Sequence, residues 1–149
     1  MYDRVLVPTD GSEQALAAAR RAFDLAERYG ATVHGLYVVD TGTGWLTVSK
    51  TDVREALREV GEDAGSEALA TLEALAGEFD ADLVTELREG TPEAVVLEYV
   101  DEEGIDLVVM GTHGREGLRR SLLGSVAERV VREAPVPVMT VSGQGDTDA

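Results

Sequence analysis

The most informative stretch of this sequence combines glycines with a hydroxyl residue, directly after an apolar run. Residues 105–110 form the apolar run, and Gly111 and Gly114 follow it. Glycines in a turn let the backbone approach a ligand closely, because they have no Cβ. Gly124 and Ser125 then begin a second apolar run with helical spacing. Because the first N–H groups of a helix attract anions, this segment has the composition of a phosphate-binding site.

The same residues also have a simpler structural explanation. Glycines after a strand frequently do no more than form a turn, and Ser125 can serve only as a helix N-cap. Between the glycines lie Arg115, Arg119 and Arg120, with a single acidic residue among them. In a chain of net charge −16 this cluster favours a contact with phosphate. An exposed helix face is the alternative explanation of the cluster.

Three segments in order resemble the universal stress protein family. They are residues 5–12, residues 105–114 and residues 136–141, and the resemblance extends over residues 2–141. The spacing G-x2-G-x9-G-S that begins at Gly111 is similar to the nucleotide-binding motif of that family. Family members that lack this glycine pattern tend not to bind ATP, and the pattern is complete in this chain. The resemblance therefore implies an adenine nucleotide, ATP above all, as the ligand.

Matched position by position, the resemblance implies an adenine-nucleotide pocket built from ten residues. They are Pro8, Thr9, Asp10, Val38, Met110, Gly111, Gly114, Gly124, Ser125 and Val126. Asp10 can accept a hydrogen bond from a ribose hydroxyl or from adenine, or it can cap the helix that follows it. Val38 can offer its backbone groups to the adenine edge while its side chain packs on the ring, or it can belong to the core.

The sequence offers few residues for catalysis. It contains two histidines, His34 and His113, and no cysteine, which argues against a thiol nucleophile and a clustered metal site. We expect His34 to be structural and His113 to lie in a loop near the phosphates. A nucleophile elbow and a P-loop motif are both absent from the sequence. No residue is an evident base for activating water, so we expect at most slow ATP hydrolysis, with Mg²⁺ or Mn²⁺ held mainly by the phosphates.

The composition is strongly acidic. Asp and Glu number 29 against 13 Lys and Arg, and Lys50 is the only lysine. A surface of this charge repels nucleic-acid backbones, so we expect no DNA or RNA partner. The near absence of lysine resembles the proteins of extreme halophiles, although a GC-rich genome also enriches arginine. Because no apolar run approaches the roughly 20 residues that span a bilayer, and no signal peptide pattern is present, we expect a cytoplasmic protein without a membrane partner.

Alternating strands and helices predict one domain, residues 1–142, followed by a flexible polar tail, residues 143–149. Strands are predicted at residues 4–8, 32–39, 82–87, 106–110 and 136–141, and helices ending near residues 29, 75, 103 and 133. This alternation predicts an α/β fold, an open five-stranded parallel sheet of Rossmann-like type with helices on both faces. For the turns after the first and fourth strands to share a site, those strands must be neighbours. The order 3-2-1-4-5, which the resemblance also implies, makes them so.

These observations predict an ATP-binding stress-response regulator that forms a homodimer. The last strand, residues 136–141, is uncharged and lies at a sheet edge, so we expect it to pair with its symmetry mate unless the polar tail covers it. The resemblance implies the same interface. The alternative function is a nucleotide-free dimeric interaction module whose glycine turns only shape a partner surface. An adenylating or hydrolysing enzyme would need a second substrate pocket and a catalytic base, and the sequence shows neither.

Overall fold

The computed structural model describes residues 2–41, 51–112 and 124–142 of the chain. The predicted tail, residues 143–149, lies outside the described residues. The strands are β1 (Arg4–Pro8), β2 (Thr32–Asp40), β3 (Asp82–Gly90), β4 (Leu107–Gly111) and β5 (Val138–Val141). The helices are α1 (Glu13–Tyr29), α2 (Thr51–Ala76), α3 (Pro92–Glu102) and α4 (Ser125–Glu133). None of the helices, as far as the structure describes them, is long and apolar enough to cross a bilayer.

The strands form one parallel sheet in the order β3-β2-β1-β4-β5, which confirms the predicted fold and strand order. The central strands β1 and β4 are paired, with Val5 opposite Leu107 and Leu6 opposite Val108. Their carboxyl ends therefore lie side by side, at the point where the winding direction of the chain reverses. In open α/β sheets this position is where ligands bind.

The core consists of two layers, one on each face of the sheet. Helices α1 and α2 cover one face, and α3 and α4 cover the other. Helix α2 packs very closely on β2 and β3, because a Cβ at Gly61 would lie 2.6 Å from Val39 and one at Gly65 would lie 2.6 Å from Leu87. These glycines weaken the helix by roughly 1 kcal/mol each relative to alanine. Their location shows that they are needed for the contact between the helix and the sheet.

Strand ends differ from the prediction at both edges of the sheet. Strand β3 extends three residues beyond its expected end and pairs with β2 as far as the Asp40–Gly90 pair. Its last residues are polar because an edge strand faces solvent on one side. These polar residues do not show the apolar pattern of a buried strand, so the prediction ended the strand too early. Strand β5 begins at Val138, two residues later than expected. Pro135 and Pro137 have no N–H group to donate to a neighbouring strand, which delays regular pairing.

The ends of α1 follow the sequence closely. Ser12 is the N-cap, and its side-chain oxygen accepts a hydrogen bond from the N–H of Ala15 at 3.1 Å. Gly30 ends the helix with a φ of 70°, a left-handed conformation that favours glycine, and its N–H donates to the Ala26 carbonyl. These caps determine where the chain leaves β1 and where it enters β2.

Candidate functional site

A cavity of about 380 Å³ opens at the carboxyl ends of β1, β2 and β4. Its volume lies within the range of small-molecule sites, about 300–1,000 Å³. The residues of the predicted site that line it are Pro8, Thr9, Asp10, Val38, Met110, Gly111, Gly124, Ser125 and Val126. The tenth, Gly114, lies outside the described residues, as do His113 and the arginines Arg115, Arg119 and Arg120. The fold therefore brings nine of the ten residues together, and their role in binding stays a prediction.

The turn after β1 forms one side of the cavity and is held by local hydrogen bonds. The N–H of Thr9 donates to the Leu36 carbonyl at 2.9 Å, and the Thr9 hydroxyl accepts from the N–H of Gly11 at 3.1 Å. One carboxylate oxygen of Asp10 accepts from the N–H of Ser12 at 2.9 Å. Asp10 therefore supports the turn that precedes α1, while the helix cap itself is Ser12. The hydrogen bond to Ser12 does not test the predicted contact of Asp10 with a ribose or adenine, which stays a prediction.

Gly111, at the end of β4, lies against helix α1. A Cβ at this position would be 2.9 Å from Cβ of Gln14 and 3.0 Å from its carbonyl carbon. Contacts this short with backbone atoms require the helix or the strand to move. The packing of α1 on β4 is therefore sufficient to explain why this residue is a glycine, without reference to a ligand.

The start of α4 forms the opposite side of the cavity. Gly124 occupies the N-cap position, so Ser125 is the first residue of the helix and not its cap. The N–H of Gly124 donates to the Thr112 carbonyl at 2.6 Å, which ties this helix start to the end of β4. The following N–H groups belong to the first turn of the helix, where no backbone acceptor exists within the helix. Since Gly124, Ser125 and Val126 all line the cavity, this partly positive end of α4 lies beside it.

A third part of the cavity lies between β2 and α3. Val38 is the only residue of the predicted site among the described residues that line this part. Leu36 and Asp40 also line the cavity, because side chains two residues apart lie on the same face of a strand. Pro92 and Val96 lie across from them on α3. Because side chains alternate between the two faces of a strand, Leu36 and Asp40 could have been identified from Val38. No pattern in the neighbouring sequence shows that α3 covers β2. The remaining lining residues outside the prediction are Ala15, Thr112 and Ala127.

The charged residues among the described lining residues are Asp10 and Asp40, both acidic. His34 is not among them, since it is buried, with 7% of its surface exposed, and its Nδ1 lies 2.8 Å from the Tyr99 hydroxyl. Burial is the largest cause that lowers the pKa of His34. Its buried partner agrees with the structural role that we expected for it. Within the ranges that the structure describes, no three His, Cys, Asp or Glu side chains come together as a metal site.

An open parallel sheet with a cavity at its switch point is the architecture in which α/β proteins commonly bind ligands. The model of the universal stress protein family matches residues 1–142, and the chain belongs to this family. This result confirms the resemblance that the three sequence segments indicated.

The chain is similar to family members over almost its whole length. A universal stress protein of Methanocaldococcus jannaschii is 38% identical over 141 residues, which cover 95% of this chain and 82% of the relative. The structure of universal stress protein UspA from Lactobacillus plantarum is 29% identical, covers 94% of this chain and 97% of that one, and has a TM-score of 0.82. A universal stress protein solved in complex with cAMP is 26% identical, with a TM-score of 0.62 and coverages of 95% and 98%.

Proposed function

We propose that this universal stress protein binds an adenine nucleotide, ATP, in the cavity at the carboxyl ends of β1 and β4. One observation carries the proposal: nine residues that the resemblance to the family assigned to nucleotide binding line a single cavity of about 380 Å³. The proposal is also supported by a protein of the same family and fold that was solved in complex with cAMP.

The properties of the cavity favour one orientation of the nucleotide. The part between β2 and α3 is apolar at Val38 and Val96, which suits the faces of an adenine ring. The start of α4 at Gly124 provides N–H groups and the positive end of a helix dipole, which suit phosphate. Asp10 follows β1, the strand that lies between β2 and β4 in the sheet. Its carboxylate can accept a hydrogen bond from a ribose hydroxyl.

Phosphate binding needs positive charge to offset the acidic lining. Asp10 and Asp40 repel a polyphosphate, and the helix dipole of α4 is equivalent to roughly half an elementary charge. The arginines Arg115, Arg119 and Arg120 lie in the sequence between Gly111 and Gly124, both of which line the cavity. We therefore assign the missing charge to these arginines and to Mg²⁺ or Mn²⁺ that enters with the phosphates.

The proposed protein holds or senses ATP and hydrolyses it slowly at most. Asp10 and Asp40 are the described lining residues with a carboxylate that could accept a proton from water. Asp10 accepts a hydrogen bond from the N–H of Ser12, which holds its carboxylate in the turn before α1. A binding protein of this kind fits a regulator in a stress response better than a catalyst.

The homodimer through β5 belongs to the same proposal. Strand β5 lies at the edge of the sheet, and the Met139 side chain is 37% exposed. A groove of about 660 Å³ runs between this strand and α1, bordered by Arg20 and Arg21. An uncharged edge strand with an exposed apolar side chain favours pairing with a second copy. We further propose a cytoplasmic, halophilic protein, supported by the net charge of −16 and the single lysine.

A nucleotide-free interaction module remains the second candidate, because the packing of Gly111 on Gln14 explains one glycine of the motif without a ligand. Calorimetric titration of the purified protein with ATP in molar KCl distinguishes the two, with GTP as the control for the base. We expect ATP to bind and GTP to bind at least about tenfold more weakly, a difference of about 1.4 kcal/mol. Absence of ATP binding at millimolar concentration would favour the interaction module.

A further inference from the structure

A buried hydrogen bond joins β2 to α3 beside the cavity. Nδ1 of His34 and the hydroxyl oxygen of Tyr99 are 2.8 Å apart. The two residues are 7% and 1% exposed, so water does not compete for this contact. Neither residue is among the described residues that line the cavity.

Both partners belong to the elements that line the cavity between β2 and α3. His34 shares its face of the strand with Leu36 and Val38, because alternate side chains of a strand point the same way. Tyr99 follows Val96 by three residues, so the two lie on the same side of the helix, about one turn apart. The strand residues Leu36 and Val38 and the helix residue Val96 line the cavity. The hydrogen bond therefore connects the two elements next to the place where they contact the cavity.

The charged groups around the pair come from every neighbouring element. They are Arg4 on β1, Glu86 and Arg88 on β3, and Glu102 and Glu103 at the end of α3. Arg88 donates to the carboxylates of Glu86 and Glu102, and its Cζ lies 4.7 Å from the centroid of the Tyr99 ring.

The second cation, Arg4, donates to the Glu103 carbonyl at 2.8 Å. Burial is the largest cause that lowers the pKa of His34, the carboxylate of Glu103 opposes it, and Arg4 lowers the pKa further. Burial also raises the pKa of Tyr99 to about 12, so its hydroxyl stays protonated. The surroundings therefore favour a neutral pair.

We propose that the hydrogen bond between His34 and Tyr99 is a positioning contact that sets the separation of β2 and α3 and thereby the width of the nucleotide cavity. The inference rests on the proposed function, because its consequence is a change in ATP affinity. Loss of the bond by substitution, or the charge that protonation of His34 brings into this buried contact, lets α3 move away from the strand and weakens ATP binding.

Protonation acts on the bond through the roles of donor and acceptor. Where Nδ1 of neutral His34 accepts from the Tyr99 hydroxyl, protonation reverses the hydrogen bond: the imidazolium N–H donates to the hydroxyl oxygen, and the hydroxyl hydrogen turns away and loses its buried acceptor. A positive charge also enters a buried site next to Arg88, which is paired with Glu86 and Glu102. Opening of the contact admits water and relieves both costs.

The sign of the pH dependence follows from the lowered pKa. Because the pKa of His34 is lower in the closed structure than its ordinary 6.5, the open form binds more protons. The stability of the closed form is therefore complete above pH 6.5 and is lost as the pH falls toward the lowered value. If ATP binds only the closed, neutral form, its affinity falls as the pH passes below the lowered pKa of His34, and one pH unit below 6.5 the loss is smaller than the roughly tenfold loss that an unshifted histidine would cause.

Three variants test the inference by calorimetric titration with ATP at about pH 8 and about pH 5.5, on either side of the ordinary pKa of histidine. His34→Asn keeps a polar group beside Tyr99 but does not titrate. Tyr99→Phe removes only the hydroxyl. Tyr37→Phe is the matched control, because it removes a hydroxyl from a buried tyrosine that packs on the opposite face of β2.

The terminal phosphate of ATP and the second histidine, His113, also titrate in this range. Wild type and His34→Asn share both of them, so the difference between their pH profiles isolates His34. We expect wild type to lose more affinity than His34→Asn between the two pH values, by less than the roughly tenfold difference that an unshifted histidine would cause. We expect Tyr99→Phe, but not Tyr37→Phe, to weaken binding at the higher pH by at least about threefold, a loss within the net contribution of one hydrogen bond.

A direct readout is the pKa of the His34 imidazole measured by NMR, which saturation with ATP should lower further, by reciprocal linkage. Parallel pH profiles of wild type and His34→Asn, or equal affinities of Tyr99→Phe and Tyr37→Phe, would overturn the inference while leaving the proposed function intact. Failure of wild type to bind ATP at the higher pH would instead remove the proposed function, and this inference with it.

Discussion

The glycine at the start of α4 allows the sharpest test of the candidate site. Gly124 is buried and lines the cavity, with a φ of −66° and a ψ of 161°. Any residue adopts these angles, so Gly124→Val introduces no backbone strain. The new side chain places two methyl groups in the space that we assign to a phosphate of ATP. We therefore expect the variant to fold and to bind ATP more weakly.

The expected magnitude is at least a tenfold loss of affinity, or about 1.4 kcal/mol. With ATP at about 100 times the wild-type Kd, the ligand stabilises the folded protein by about 2.7 kcal/mol, and by only about 1.4 kcal/mol once the site is tenfold weaker. The increase of Tm on adding ATP should therefore fall by about half, at roughly 2–4 °C per kcal/mol for a chain of this size. Replacing the N-cap glycine also changes the stability of the free protein, but that change cancels in the comparison with and without ATP.

Calorimetric titration and thermal melts measure these quantities, and Gly65→Ala, at a position on α2 that does not line the cavity, is the packing control. A Cβ at Gly65 would lie 2.6 Å from Cδ1 of Leu87 and 2.7 Å from Cδ1 of Tyr37, so we expect this variant to lose about 1–3 kcal/mol of stability and to keep its ATP affinity. The two glycines thus separate a ligand effect from a packing effect. Unchanged ATP affinity in a folded Gly124→Val protein would refute the assignment of phosphate to the start of α4.

Three further predictions concern charge and assembly. Replacing Arg115, Arg119 or Arg120 by glutamine should weaken ATP more than adenosine in titrations at moderate salt, where screening is limited; equal losses would mean that the arginines act on structure alone. The Tm measured by calorimetry should rise from dilute buffer to molar KCl, because salt screens the self-repulsion of a chain with net charge −16. A constant Tm over that range would remove the halophilic interpretation. Met139→Lys should convert the proposed dimer to a monomer in light scattering, because it places a charge on the edge strand; a dimer that persists would place the interface elsewhere.

The sequence alone determined the order of the elements, the parallel sheet and the family. Helix α1 shows why: its N-cap at Ser12 and its left-handed end at Gly30 depend on the preferences of a few consecutive residues. The requirement that the turns after β1 and β4 share a site made these two strands neighbours, and the full strand order came with the family resemblance. These properties are readable because backbone preferences and hydrophobic spacing act over short distances along the chain.

Tertiary structure decided the properties that depend on two distant elements. Pro92 and Val96 line the cavity only because α3 lies over β2, and no local pattern indicates this. The contact of Gly111 with α1 and the hydrogen bond between His34 and Tyr99 likewise join elements far apart in the sequence. The type of a residue indicates which conformation its own backbone prefers. The distance between two residues on different elements depends instead on how those elements pack together. The family resemblance could therefore name nine of the described lining residues, whereas the rest of the lining and the shape of the cavity came from the fold.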